Sequence, residues 1–280
     1  MNKNKGILYA ILAALIWSTG GVFIKLVNAP PFYIAMARSL IAFITFLPFL
    51  KIRQIKWSRN LIFLLLSYSY TLISFVVANK LTTAANAIFL QYTSPIWLFL
   101  FYFIVKKKID KAKILPIMLV LIGISMFLIE SSAGSSTIGN LVAISSSFAF
   151  AAVAFFSAKD YGIKGPALIA LCNFSTFILA LPFTKNPLQV TLSLQVSDVI
   201  GLMLLGGIQI AVGYLFYMKA LKIISPLDVS LICLLEPLFN PIWVLLFVKE
   251  VPTIMAVIGS VLILFGILLN IIRNRKYRNR

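Results

Sequence analysis

The sequence predicts an all-α integral membrane protein with ten transmembrane helices. They form two inverted-topology five-helix repeats, with both termini cytoplasmic. Three observations carry that expectation. Of 280 residues, 61% are hydrophobic and only 11% are charged, where a water-soluble domain carries about 25% charged residues. The charges gather in short clusters that leave apolar runs of about twenty residues between them, enough to cross a hydrocarbon core about 30 Å thick. Short motifs of the first half also recur in the second.

Apolar runs between polar breaks place helices near residues 6–27, 32–50, 60–79, 84–105 and 113–130. A second set falls near 138–157, 166–183, 198–219, 226–248 and 252–272. Pro30-Pro31, the stretch from Ser131 to Thr137, and Lys185-Asn186-Pro187 mark turns between them. The first run is longer than the apolar core of a secretory signal and is followed by further spans, so no cleaved leader is expected.

An even number of spans puts both termini on one side. With that side cytoplasmic, 20 of the 25 Lys and Arg residues lie inside and only Lys25, Lys80, Lys185 and Lys249 lie outside. Arg38 falls within a span. A bias of this size orients the chain by the positive-inside rule. The net charge of +18 therefore reflects topology and does not predict nucleic-acid binding. Cys172 and Cys233 fall within apolar runs, so no disulfide is expected. The absence of histidine removes the usual imidazole relay and most zinc sites. No metal or cofactor is expected.

The repeat rests on three matches. Leu47-Pro48-Phe49 recurs as Leu181-Pro182-Phe183, 134 residues on. Ala78-x-Lys80 recurs as Ala220-x-Lys222, and Ser94-Pro95 aligns with Glu236-Pro237, both 142 residues on. The halves are 1–130 and 131–280. Five spans per half force the second copy to enter the membrane upside down, an architecture of secondary transporters that places the solute site near the midplane.

Glu236 is the most informative residue. It lies about ten residues from the nearer end of its helix, roughly 15 Å deep at 1.5 Å per residue. A charge at that depth costs at least about 2.5–3.5 kcal/mol. It therefore faces a polar cavity, pairs with a cation or stays protonated, and as the only deeply buried carboxylate it is the candidate for proton coupling. Pro237 and Pro241 free upstream carbonyls, which is tolerated beside a cavity.

Asn240 and Trp243 share the face of Glu236 at i+4 and i+7. Other spans carry polar faces of their own: Trp17 and Ser18 in the first, Tyr70 in the third, Gln91 and Ser94 in the fourth, Asn173 in the seventh, and Gln209 with Tyr217 in the eighth. Taken singly, each is ordinarily interhelical glue. Taken together, they predict a set of helices lining a cavity that binds a small-molecule substrate. Arg38 lies roughly 9 Å below the outer surface; it either snorkels outward or supplies a cation to Glu236 or to an anionic substrate group. Lys25, Lys80 and Lys222 stand at span ends as interface anchors. Spans five and ten are aliphatic, with Gly123, Gly259, Ser260 and Gly266 as their small residues. That composition places them at the periphery, against lipid or in a homodimer contact.

With these features the chain resembles the EamA branch of the drug/metabolite transporter superfamily. The resemblance is carried by Ala13 to Gly20 (AALIWSTG), Ala37-Arg38, Leu235-Glu236-Pro237, Lys249-Glu250 and Gly259 to Gly266 (GSVLILFG). It implies a bundle whose helices one to four and six to nine surround a central cavity, with the fifth and tenth outside. It also implies movement of amino acids, other metabolites or drug-like compounds, often outward across the cell membrane. Lys107-Lys108 and Pro116 depart from the family pattern in the first half.

No Walker A motif is present, so ATP is not the direct energy source. The leading expectation is a secondary carrier. A membrane-embedded enzyme would ordinarily show paired acids, a metal cluster or a nucleophile–base pair. A channel would show a filter or a charged ring, and a non-transporting sensor is the remaining alternative.

Overall fold

The structure is a computed structural model that describes residues 3–82, 84–106, 111–130, 136–239, 243 and 254–276. Among these residues there are helices and no strand. Seven helices are long and apolar enough to cross a membrane, and two shorter apolar stretches, Lys113–Met126 and Val257–Asn270, fall where the fifth and tenth spans are expected. The ninth expected span runs into residues 240–242 and 244–253, outside the described set.

The helical segments that fall in the ten expected spans are labelled α1 to α10. α1 comprises Lys3–Trp17 and Gly20–Leu26, α2 is Pro31–Phe46 and α3 is Arg59–Leu81. α4 comprises Ala84–Gln91 and Ser94–Lys106, and α5 is Lys111–Glu130. α6 is Thr137–Ser157, α7 is Gly165–Ala180 and α8 spans Val196–Leu221. α9 begins as Pro226–Ile232 and resumes after a turn at 233–234; α10 is Ile254–Lys276. Local chemistry sets several ends. Ser58, Ser136 and Ser225 cap α3, α6 and α9 by accepting from backbone N–H groups in the first turn. Pro31 opens α2 and Pro226 opens α9, where a missing N–H costs nothing. The Leu-Pro-Phe triplets each form one 3-10 turn, Leu47–Phe49 after α2 and Leu181–Phe183 after α7.

α3 packs between α6 and α7, α1 lies along the second half of α8, and α2 packs on α7 and α8. Side chains such as Ile62, Phe63, Leu66, Met118 and Phe265 point outward, an apolar exterior suited to lipid.

α5 and α10 pack chiefly on each other, outside this group. Gly123, Gly259 and Gly266 serve that intrachain contact. A Cβ at Gly123 would stand 2.7 Å from the Gly259 carbonyl oxygen and 2.7 Å from Ile263 Cγ1; one at Gly266 would stand 2.9 Å from the Pro116 carbonyl oxygen. Backbones approach this closely only where side chains are absent. Gly123→Leu is therefore expected to destabilise the protein by about 1–3 kcal/mol, the usual cost of overpacking. Thermal unfolding in detergent would register it as a lower midpoint, and an unchanged midpoint would refute the contact.

Candidate functional site

The continuous helices are interrupted near mid-span, and the interruptions meet. α1 turns at 18–19, α4 at 92–93 and α9 at 233–234, while Leu204–Val212 of α8 winds as a π-helix. Hydroxyls stand in for the lost ladder in α1: Ser18 Oγ donates to Leu15 O at 2.7 Å and Thr19 Oγ1 to Ile16 O at 2.8 Å. In α4 and α9 the turn precedes a proline. Pro95 and Pro237 cannot donate to Gln91 O and Cys233 O, and Glu236 N takes the latter at 2.9 Å. Broken spans and π-bulges of this kind are tolerated in lipid only where protein or a cavity satisfies the backbone.

A narrow cleft of about 30 Å³ opens at this level, and Arg38, Gln91, Gln209 and Glu236 are polar groups in its wall. Glu236 is 4% exposed and accepts a hydrogen bond from Tyr92 Oη. Arg38 is fully buried; its Nη2 donates to Leu72 O at 2.8 Å, while Nε and Nη1 find no partner among the described residues. The two charges share one cleft but make no ion pair. Gln91 Nε2 donates to Ser146 Oγ at 2.8 Å, and Gln209 Oε1 has no partner among the described residues. A cluster of rings closes one side: Trp17 lies 4.8 Å from Tyr214, 5.1 Å from Tyr217 and 5.8 Å from Phe150, centroid to centroid.

Two glycines let α1 and α8 interlock there. A Cβ at Gly213 would come within 2.4 Å of Trp17 Nε1, and one at Gly20 within 2.6 Å of Gln209 Nε2. Gly213→Ala is expected to displace the Trp17 ring and lower solute transport several-fold at near-normal expression, since misplacing a binding group by about 1 Å can cost 100-fold. Wild-type transport in that variant would separate Trp17 from the site.

Of the residues singled out in the sequence, Trp17, Arg38, Gln91, Gln209 and Glu236 line the cleft. Tyr217 stands one ring behind, its hydroxyl without a partner among the described residues. Ser18 and Trp243 meet each other, Trp243 Nε1 donating to Ser18 Oγ at 2.7 Å. Ser94 is fully buried at the start of the second piece of α4 but does not line the cleft. Asn173 supports the wall, donating to Tyr68 Oη and Ile169 O, each at 2.9 Å.

Tyr70 is not brought to the site. It is 49% exposed, on the outer side of α3, with its hydroxyl bonded to Ser145 Oγ. With Ser74 it lines an apolar groove that includes Leu66, Leu179 and Phe183. Asn240 lies outside the described residues.

Glu236 is also not the only buried carboxylate. Asp198 and Asp228 are 5% and 7% exposed, in the first turns of α8 and α9. Asp198 accepts from Asn28 N and Gln195 N, and Asp228 pairs with Lys113, Asn270 and Ser225. Glu236 differs in lining the cleft. The sequence reading missed Tyr92, Tyr214, Thr71 and Phe150. A signal existed for Tyr92, two residues before Ser94-Pro95, the motif that pairs with Glu236-Pro237.

An all-helical multi-pass membrane protein with a polar cleft at the meeting of its helix breaks has the architecture of a membrane transporter. The sequence profile described as the EamA-like transporter family matches residues 4–129 and again 137–272, and the chain belongs to that family. An uncharacterized transporter of Clostridium kluyveri is 27% identical over 299 residues, covering 98% of this chain and 95% of that protein. Another from Archaeoglobus fulgidus is 23% identical over 259 residues, covering 92% and 93%. A crystal structure 16% identical in sequence shares the fold, with a TM-score of 0.78 over 99% of both chains. Neither the family nor these relatives point to an enzyme.

Proposed function

We propose that this chain is a secondary active carrier that moves a small zwitterionic or amphipathic metabolite, such as an amino acid, across the cytoplasmic membrane by alternating access. The observation that carries the reading is that one cleft holds both the Glu236 carboxylate and Arg38, whose Nε and Nη1 have no partner among the described residues. A solute carboxylate meets a guanidinium N–H of Arg38, Nε or Nη1, in a charge-assisted hydrogen bond. An amino or other cationic group meets Glu236, Gln209 Oε1 and the face of the Trp17 ring cluster. Glu236 carries the coupling proton, and net movement is outward, the direction the family resemblance favours.

The two halves, 1–130 and 131–280, act as inverted repeats rocking about the cleft, with both termini cytoplasmic. The family profile matching each half separately supports this. So do the helix bounds: α2 at 31–46 and α7 at 165–180 stand 134 residues apart, and the starts of α4 and α9, at 84 and 226, stand 142 apart.

The test is uptake of a mixed metabolite pool into proteoliposomes under an imposed pH gradient, read by mass spectrometry against empty liposomes. Enrichment of carboxylate-bearing amines is the expected result. Absence of any enrichment with folded protein in both orientations would overturn the carrier reading. Saturable counterflow distinguishes a carrier from a pore.

A further inference from the structure

α1 and α3 end on the same face of the bundle, and each ends under a lysine of the other. Lys25, in the last turn of α1, donates to Thr82 O at 2.9 Å; Lys80, in the last turn of α3, donates to Val27 O at 2.8 Å. Val27 and Thr82 are the residues that cap those two helices. A lysine in a last turn commonly serves its own helix's terminal carbonyls. Here the two are exchanged, so the ends cannot part without losing two charge-assisted hydrogen bonds. Further contacts on this face join the exchange. Thr82 Oγ1 donates to Asn140 Oδ1 at 2.9 Å, and Asp198, at the start of α8, holds Asn28 N at 2.8 Å. Four spans are thus tied together on this face.

The offsets that relate the halves carry this arrangement to the opposite face. The 134-residue shift takes Lys25 to Lys159 and Val27 to Tyr161; the 142-residue shift takes Lys80 to Lys222 and Thr82 to Ile224. Both lysines recur, at the ends of α6 and α8, yet their crossing is not made. Lys159 Nζ lies 5.3 and 5.1 Å from the Phe155 and Phe156 ring centroids. Lys222 is exposed and makes no hydrogen bond among the described residues. Tyr161 O accepts only the Lys56 backbone N–H among these residues, and exposed Asp160, ion-paired with Lys56, lies beside it. The Lys113–Asp228–Asn270 group on this side joins α9 to the α5–α10 pair, away from the cleft.

We infer that the crossed lysine–carbonyl bonds of Lys25 and Lys80 are the closed external gate. Lys159 and Lys222 form its counterpart, donating to Ile224 O and Tyr161 O when the carrier opens outward. The inference rests on the alternating-access reading above. Each state then owns one lock, and removing either lock biases the equilibrium toward the state that keeps the other.

The test needs no substrate, so it stands apart from the transport assay. A Phe75→Cys reporter in the cleft wall, with Cys172 and Cys233 replaced by Ala, is labelled by a membrane-impermeant maleimide added from outside. Lys25→Gln with Lys80→Gln is expected to raise the labelling rate about tenfold, the scale of one lost charged hydrogen bond. Lys159→Gln with Lys222→Gln is expected to lower it, and the quadruple variant to return toward the reporter's own rate. Lys→Arg at both members of either pair preserves a donor and should largely restore the reporter's rate. Equal rates in all variants, or both pairs moving the rate the same way, would overturn the gate. A pair that fails to fold is replaced by its single substitutions, which should move labelling in the same sense. Opposed shifts without any solute transport would retain the gate and sink the carrier; transport with no shifts would do the reverse.

Discussion

Glu236→Gln is expected to abolish accumulation driven by a pH gradient while leaving solute exchange in place. The side chain is 4% exposed, sits where α9 resumes after its turn, and lines the same cleft as Arg38 and Gln209. No cation pairs with it among the described residues; its bond is to the Tyr92 hydroxyl. A carboxyl so placed can alternate between a protonated form, which suits a desolvated cleft, and an ionised form held by that hydroxyl and a bound cationic group. Glutamine keeps the shape and the polar tip but removes the exchangeable charge. The binding contacts survive in part, so counterflow continues, while the link to the proton gradient is lost. Tyr92→Phe, which leaves the carboxyl but removes its donor, should weaken accumulation without abolishing it. The deciding measurement is accumulation against exchange in proteoliposomes of the three proteins. Undiminished pH-driven accumulation by Glu236→Gln would remove the residue from coupling.

Most of the fold was legible because membrane spans declare themselves by length and polarity. Every run of about twenty apolar residues through Leu221 is helical, and seven of them are long and apolar enough to cross a membrane. The aliphatic composition of α5 and α10 anticipated their place outside the main group, where they pack chiefly on each other. The breaks were less legible. Pro237 points to an interruption near Glu236 and Pro95 carries the same signal for the turn at 92–93, whereas no proline announces the turn at 18–19 or the π-helix of α8. Short hydroxyl side chains such as Ser18 and Thr19, which stabilise one of these turns, are equally at home in an unbroken helix.

The same limit explains the site. Arg38, Gln91, Gln209 and Glu236 could be chosen because polar groups at depth need a reason to be there. Tyr70 was chosen on the same logic, yet a phenol can satisfy its hydroxyl from Ser145 on the lipid side of α3. Tyr92 and Tyr214 were passed over because an aromatic ring in an apolar span asks for no explanation. Lys25 and Lys80 looked like interface anchors; that each caps the other's helix needs the packing of α1 against α3 to be seen.

Arg38→Met should separate stability from function more sharply than any other substitution. Arg38 is 0% exposed, and only one of its three nitrogens has a partner among the described residues, Leu72 O. An incompletely satisfied buried cation is costly to the fold, and replacing such groups with apolar residues of similar size is often neutral or stabilising by about 1–4 kcal/mol. Methionine fills the stem volume and leaves only one backbone carbonyl to be satisfied otherwise. The variant is therefore expected to unfold at the same or a higher temperature than wild type. If the unused Nε and Nη1 donors exist to hold a solute carboxylate, it should also lose transport by about 100-fold, the roughly 2–3 kcal/mol of a charge-assisted hydrogen bond to a buried carboxylate. Lysine should not rescue, because a point ammonium cannot bond Leu72 O and present a second, separately directed donor to a carboxylate at once. The readouts are thermal unfolding and initial uptake rates across solutes with and without a carboxylate. A stable Arg38→Met protein that still discriminates in favour of carboxylates would show that the cation is structural and that recognition lies elsewhere in the cleft. A strongly destabilised one would show that Arg38 holds α2 to α3 and that its free donors are incidental.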